Sequence, residues 1–295
     1  YPEPASSRLF RRERGEWGID ELNSARLERI GLVNGAVFTD LDNDGYAELV
    51  LAMDWGPIRV FRNERGGALR ERTVELGLDQ FRGWWQGVTA GDFDGDGRMD
   101  LLASNWGMNS KYATQLDRPQ RLYFGDFNGS GDVDLIEAYH DRSAGQWVPW
   151  PHFGRVRTAL PFVQARFNTY HEFGAASVEE ILGDRVSGAG VIEANWLAST
   201  VFLNRGDRFV AQALPGSAQW APAFAVCVAD FDGDGREDAF LSQNFFATEP
   251  ETDRGDGGRG LWLRGDGQGG FSPVPAGESG VSVYGEQRGA AVGDF

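Results

Sequence analysis

Short apolar stretches recur along the chain, each interrupted by a turn-forming cluster rich in Gly and Asp. Ala36-Val-Phe-Thr39 and Leu49-Val-Leu-Ala52 flank one cluster, Val88-Thr-Ala-Gly91 precedes a second, and Ala225-Val-Cys-Val-Ala229 precedes another. Runs of this length, apolar or β-branched and bounded by Gly and Asp, predict buried strands. Around the first cluster the pattern forms a complete unit. One strand leads in, a second follows, Ile58–Asn63 is a third, and Gly66-Gly67 turns the chain into a fourth over 68–74. Similar third-and-fourth-strand hairpins are predicted at Thr200–Asn204 with Arg208–Ala211, and at Gly260–Leu263 with Gly270–Val274. The stretch 145–185 breaks the pattern. It predicts one helix over Gly154–Ala159, a second from Pro161 to about Phe167, and a third with Ser177 as N-cap, Glu180 as capping-box partner and Gly183 as stop. This insertion reads first as a lid over a blade edge and second as a partner-binding arm.

The clusters themselves are four acidic loops on one template: Asp40-Leu-Asp42-Asn-Asp44-Gly-Tyr46-Ala-Glu48, Asp92-Phe-Asp94-Gly-Asp96-Gly-Arg98-Met-Asp100, Asp126-Phe-Asn128-Gly-Ser130-Gly-Asp132-Val-Asp134 and Asp230-Phe-Asp232-Gly-Asp234-Gly-Arg236-Glu-Asp238. Oxygen side chains at positions 1, 3, 5 and 9 suit a hard cation such as Ca²⁺. The position-7 carbonyl, from Tyr46, Arg98, Asp132 or Arg236, is expected to complete the shell, and Gly at position 6 permits the sharp turn. An EF-hand lies between helices and ends in a bidentate Glu at position 12. Here position 12 is Leu51, Ala103, Glu137 or Leu241, and the flanks are strands. Each loop therefore links two strands. The 126–134 loop, with Asn128 and Ser130 in place of two carboxylates, is expected to bind most weakly.

Loop starts lie 52, 34 and 104 residues apart. A repeat of roughly 40–60 residues, each of a few strands, is the signature of a β-propeller. The expected fold is all-β, one propeller domain over 1–295. Its predicted parts are the end of a preceding blade at 1–34, blades at 35–83 and 84–120, blade material with the helical insertion at 121–214, a blade at 215–288, and the start of another at 289–295. Both ends fall inside a unit: Gly289-Ala-Ala-Val-Gly-Asp294-Phe295 repeats the lead-in to Asp92 and stops at the first ligand. A fragment of a longer protein is the expectation, with ends that pair into one composite blade as the alternative.

Composition sharpens this picture. Gly is 41 of 295 residues and aromatics reach 13%, which fits a β repeat better than a helical fold. The net charge of −16 argues against a nucleic-acid partner. Much of that charge is local: three loops carry four ligand-position carboxylates each, and the 126–134 loop carries two. Without metal they repel one another, so metal binding and folding are expected to be coupled. The single cysteine, Cys227, forms no intrachain disulfide and reads as a buried thiol. No apolar run is long enough to span a membrane. Low-affinity calcium loops require calcium-rich surroundings, so a secreted, periplasmic or cell-surface location is expected.

The repeated Gly-Asp-Phe-Asp-Gly-Asp-Gly-x-x-Asp pattern resembles the FG-GAP/VCBS repeat family, whose propellers include the integrin α-subunit head. A closer resemblance is to large bacterial FG-GAP/VCBS proteins that carry an ASPIC/UnbV module. It rests on Gly83-Trp-Trp-Gln86, Asn105-Trp-Gly-Met-Asn-Ser-Lys-Tyr112, Leu160-Pro-Phe162 and Glu193-Ala-Asn-Trp-Leu-Ala-Ser199. The resemblance implies a propeller with calcium between first and second strands, in an exported protein without a defined activity.

Two functions follow. The first is a non-enzymatic, calcium-stabilised binding or scaffold module, with a protein or carbohydrate ligand on a propeller face. The second is a calcium-dependent polysaccharide lyase or glycoside hydrolase. Its candidate sugar platforms are Trp84, Trp85, Trp106, Trp147 and Trp150, with His140, His152, His171 or the only lysine, Lys111, as base. No recognisable catalytic motif supports it. Three Arg-Gly-Asp triplets, starting at Arg205, Arg254 and Arg264, read as turn chemistry rather than adhesion sites. The acid-rich loop 249–258 reads as solvated, with partner contact as its alternative.

Overall fold

A computed structural model of the chain describes residues 2–248 and 252–293. The predicted loop at 249–258 and the lead-in ending at Asp294-Phe295 therefore lie partly outside the described residues. The chain divides into two compact units, one holding Lys111–Asn195 and the other holding Glu3–Ser110 with Trp196 onward.

The larger unit contains three sheets of four or more strands, all antiparallel, besides one two-stranded hairpin. Sheet I runs Leu32–Thr39, Glu48–Gly56, Arg59–Asn63, Leu69–Glu71 in chain order, with Gly83–Trp84 added beside its second strand. Sheet IV repeats that order with Ala223–Ala229, Asp238–Gln243, Leu261–Gly265 and Phe271–Pro273. Sheet II has the same arrangement but is discontinuous in sequence. Gly87–Gly91 and Asp100–Ser104 supply its first two strands, and Thr200–Asn204 and Phe209–Ala213 its last two. Thr200 pairs with Ala103 and Phe202 with Leu101, so the smaller unit is inserted between the second and third strands of this sheet. Residues 200–214, expected with 121–194, therefore belong to the sheet of 87–104 instead. Strand-forming pattern identifies a strand but not its partner across an insertion. The hairpin Phe10–Glu13 with Glu16–Ile19 pairs only with itself among the described residues.

Ile58, Leu78, Trp85, Leu101 and Phe202 are fully buried in one cluster spanning sheets I and II, where the Trp85 and Phe202 rings meet at 5.5 Å. Leu102, Val201, Ala239 and Leu263 join sheets II and IV in a second. The first strands of the three sheets approach backbone to backbone. A Cβ on Gly87 would lie 2.5 Å from the Phe224 carbonyl oxygen, and one on Gly35 would lie 3.1 Å from Gly87 Cα. Glycine is needed at 87, and a side chain at 35 would need the facing strand to give by a few tenths of an ångström. Cys227 lies on one of these first strands and is half-buried rather than enclosed. Burial still raises its thiol pKa, so it is a poor nucleophile.

The smaller unit has one four-stranded antiparallel sheet in the order Gln146–Pro149, Asp134–Asp141, Gln120–Gly125, Gly190–Ala194. Its core packs Tyr123, Ile136 and Ala138 against Phe153, Val163, Phe173 and Ile181 of short helices. Three helices lie close to expectation: Phe153–Ala159, Phe162–Arg166 after Pro161, and Val178–Leu182. The last has both bonds of its Ser177–Glu180 capping box and ends at Gly183. A fourth, Tyr170–Gly174, was not foreseen, although Thr169 and Glu172 form a capping box of the same kind.

Candidate metal centres

All four acidic loops connect a first strand to a second, and they share one internal geometry. The carboxylate at position 1 accepts the backbone N–H groups of positions 5 and 6. Asp40 accepts from Asp44 and Gly45, Asp92 from Asp96 and Gly97, Asp126 from Ser130 and Gly131, and Asp230 from Asp234 and Gly235, at 2.9–3.1 Å. Position 6 adopts φ of +83 to +89°, the left-handed region where glycine carries no Cβ penalty. Position 4 is left-handed too, with Asn43 at +56° and Gly95, Gly129 and Gly233 at +71 to +76°. The Asn/Gly restriction at position 4 was visible in the sequence and was missed.

In three loops the acids converge. Ligand oxygens of Asp40, Asp42 and Glu48, of Asp92, Asp94 and Asp96, and of Asp230, Asp232 and Asp234 lie within 4.8 Å of one another. A hard-oxygen donor set of this kind, on a loop already curled by position 1, fits a calcium ion. Among the described residues the 126–134 loop brings no such trio together.

Position 9 has a structural task beyond any ligand role. Glu48, Asp100 and Asp238 are almost completely buried. Each accepts one N–H from position 2 of its own loop and one from the third strand. For Glu48 these come from Leu41 and Asn63, for Asp100 from Phe93 and Asn204, and for Asp238 from Phe231 and Gly265. Asp238 also accepts from Trp262 Nε1. The acid thus straps loop to sheet. Asp134 accepts instead from Phe127 and Asn128, both within its own loop.

Burial raises the pKa of Glu48 and Asp134 and carries Asp100 up to about 6, opposed by the donated N–H groups and reinforced by neighbouring loop acids. An acid with a raised folded-state pKa holds its proton more tightly folded than unfolded, so stability falls as pH rises through that window. Groups lowered by arginine or backbone partners, such as Glu71 and Asp141, act in the opposite direction but only near pH 4 and below. Metal-free protein is therefore expected to be more stable at pH 5 than at pH 7, by about 1 kcal/mol from Asp100. Calcium should give least stabilisation at pH 5, because protons compete for the same oxygens. Melting curves at both pH values, with chelator and with calcium, test this; a metal-free protein more stable at pH 7 would refute it.

Several of the residues considered for catalysis are occupied otherwise. Trp84 and Trp85 are buried and present no sugar platform. His152 caps the helix Phe153–Ala159, Lys111 lies over the Tyr112 and Trp150 rings, and Arg121 stacks on Trp147 at 3.4 Å. The Arg-Gly-Asp triplets also serve locally. Arg205 and Arg264 turn onto acidic loops, and Asp266 accepts the Gln268 and Gly270 N–H groups within its own turn.

Strand, acidic loop, strand, repeated in four-stranded antiparallel sheets, is the blade unit of a β-propeller. Residues 40–103 match the FG-GAP-like repeat, so the chain is all-β and carries this propeller-forming repeat. Among curated proteins, cartilage acidic protein 1 of Mus musculus is 24% identical over 255 residues, covering 84% of this chain and 34% of its own. The Homo sapiens protein of that name is also 24% identical, with 84% and 33% covered. That of Xenopus tropicalis is 25% identical over 241 residues, with 80% and 31% covered. The chain spans about a third of the length of these relatives.

Proposed function

We propose that the chain is a calcium-binding, non-enzymatic module of propeller blades that works outside the cytoplasm and presents a blade face to a protein or carbohydrate ligand. One observation carries the reading: three loops in three sheets each gather three carboxylates within 4.8 Å. Asp40, Asp42, Asp44 and Glu48 would hold one ion, Asp92, Asp94, Asp96 and Asp100 a second, and Asp230, Asp232, Asp234 and Asp238 a third. The carbonyls of Tyr46, Arg98 and Arg236 would assist. Asp126, Asn128, Ser130, Asp132 and Asp134 would form a weaker fourth site. A bound ion supplies the positive charge that cancels carboxylate repulsion, while the chain's own residues hold the loop in shape before it arrives. The relatives named for cartilage and for acidity fit an extracellular setting, and this chain shares the acidity with a pI of about 4.6.

Calorimetric titration of chelator-stripped protein tests the reading. At least three saturable calcium sites are expected, with Kd about 10⁻⁴–10⁻³ M. Replacing Asp42, Asp94 and Asp232 together by Asn should remove them. A chain that takes up no calcium at millimolar concentration would end the proposal.

A further inference from the structure

Each of the three four-acid loops has an arginine on the oxygens that a cation would use. Arg62 Nη2 lies 3.0 Å from Asp42 and 3.1 Å from Asp44. Arg205 Nη1 pairs with Asp94 and lies 3.5 Å from Asp96. Arg264 Nε lies 2.6 Å from Asp232. All three therefore meet the position-3 acid, and two also meet position 5. Among the described residues no ion pair reaches the 126–134 loop, whose positions 3 and 5 are the neutral Asn128 and Ser130.

This recurrence is not a copied motif. The third-strand residues that donate their N–H to position 9 align as Asn63, Asn204 and Gly265. Arg62 and Arg264 come one residue before that point, and Arg205 comes one residue after it. Third-strand arginines at two different backbone positions thus reach the position-3 acids, while Arg98 and Arg236 at position 7 add a second guanidinium on the position-5 acids Asp96 and Asp234. The matching factor is charge: an arginine is present where positions 3 and 5 are both acidic, and none pairs where neither is.

We propose that Arg62, Arg205 and Arg264 are built-in counter-ions that exchange with the cation. Without metal, each guanidinium neutralises part of its loop and keeps it folded. When Ca²⁺ binds, the shared oxygens pass to the ion and the arginine swings out to solvent. Its side chain is already 32–40% exposed in all three cases, so the path is open. The loops consequently bind calcium more weakly than their carboxylate count alone implies, and they lose less stability on calcium removal than they would without the arginines. This inference rests on the calcium reading above.

The test titrates calcium into the chain and into Arg62→Gln, Arg205→Gln and Arg264→Gln, singly and together, at constant ionic strength. It also records melting in EDTA. Each substitution should tighten its own site about three- to tenfold, the range expected for losing one partly exposed competing ion pair. Each should also lower the melting temperature in EDTA, and Arg→Lys should restore both values in part. If the parent chain binds calcium but the Gln variants bind it equally or more weakly, the exchange is wrong and the calcium reading stands. If the parent chain binds none, both fall. The single variants keep the test informative should the triple variant fail to fold.

Discussion

Stripping calcium with EDTA is expected to lower the melting temperature of the chain by on the order of 15–30 °C relative to 10 mM Ca²⁺. At a Kd of about 0.1 mM, that concentration is about 100-fold in excess and contributes about 2.7 kcal/mol at each site that exists only in the folded state. Three such sites give about 8 kcal/mol, and a unit of this size shifts by roughly 2–4 °C per kcal/mol. The physical source is specific. Each trio holds three carboxylates within 4.8 Å, which the divalent ion relieves and which the paired arginines relieve only partly. Magnesium should give much less, because it demands near-ideal octahedral geometry and dehydrates reluctantly. Scanning calorimetry with EDTA, calcium and magnesium decides the matter, and superimposable curves would remove calcium from the account.

Much of this was legible in the residues because it is local. Asp at alternate positions, Gly at position 6 and apolar runs on both sides fix a strand–loop–strand unit within about fifteen residues, and all four units have that form. The capping box at Ser177 and Glu180 was readable for the same reason. What escaped was relational. Thr200–Asn204 reads as a strand from its apolar and β-branched residues, but pairing with Asp100–Ser104 depends on an insertion folding apart from it. Trp84 and Trp85 offer equal evidence for a sugar platform or for a core until neighbours bury them. Arg62, Arg205 and Arg264 escaped because their offsets differ, so no repeat alignment brings them into one column.

The second site of the Arg pairs also divides among Arg-Gly-Asp triplets, which composition alone could not interpret. Arg205 and Arg264 begin two of the three, yet their guanidinium groups lie on Asp94 and Asp232. Their Gly and Asp shape the turn between third and fourth strands. These two triplets are thus accounted for by the needs of the blade.

Position 9 gives the other large effect, and it separates folding from metal binding. Replacing Asp238 by Ala is expected to cost about 4 kcal/mol even in EDTA, because a fully buried acceptor is lost to three donors: the buried Gly265 N–H and the part-buried Phe231 N–H and Trp262 indole N–H. The melting temperature should fall by roughly 8–16 °C for a unit of this size. Asp232→Asn removes a carboxylate from the same loop, but Asp232 is exposed and its partner Arg264 remains solvated. That substitution should cost under about 1 kcal/mol in EDTA and act chiefly by removing the calcium response. Melting each variant with and without calcium separates the two roles of one loop. If Asp238→Ala melted in EDTA no lower than Asp232→Asn, the buried strap between acidic loop and third strand would not be what holds the blade edge.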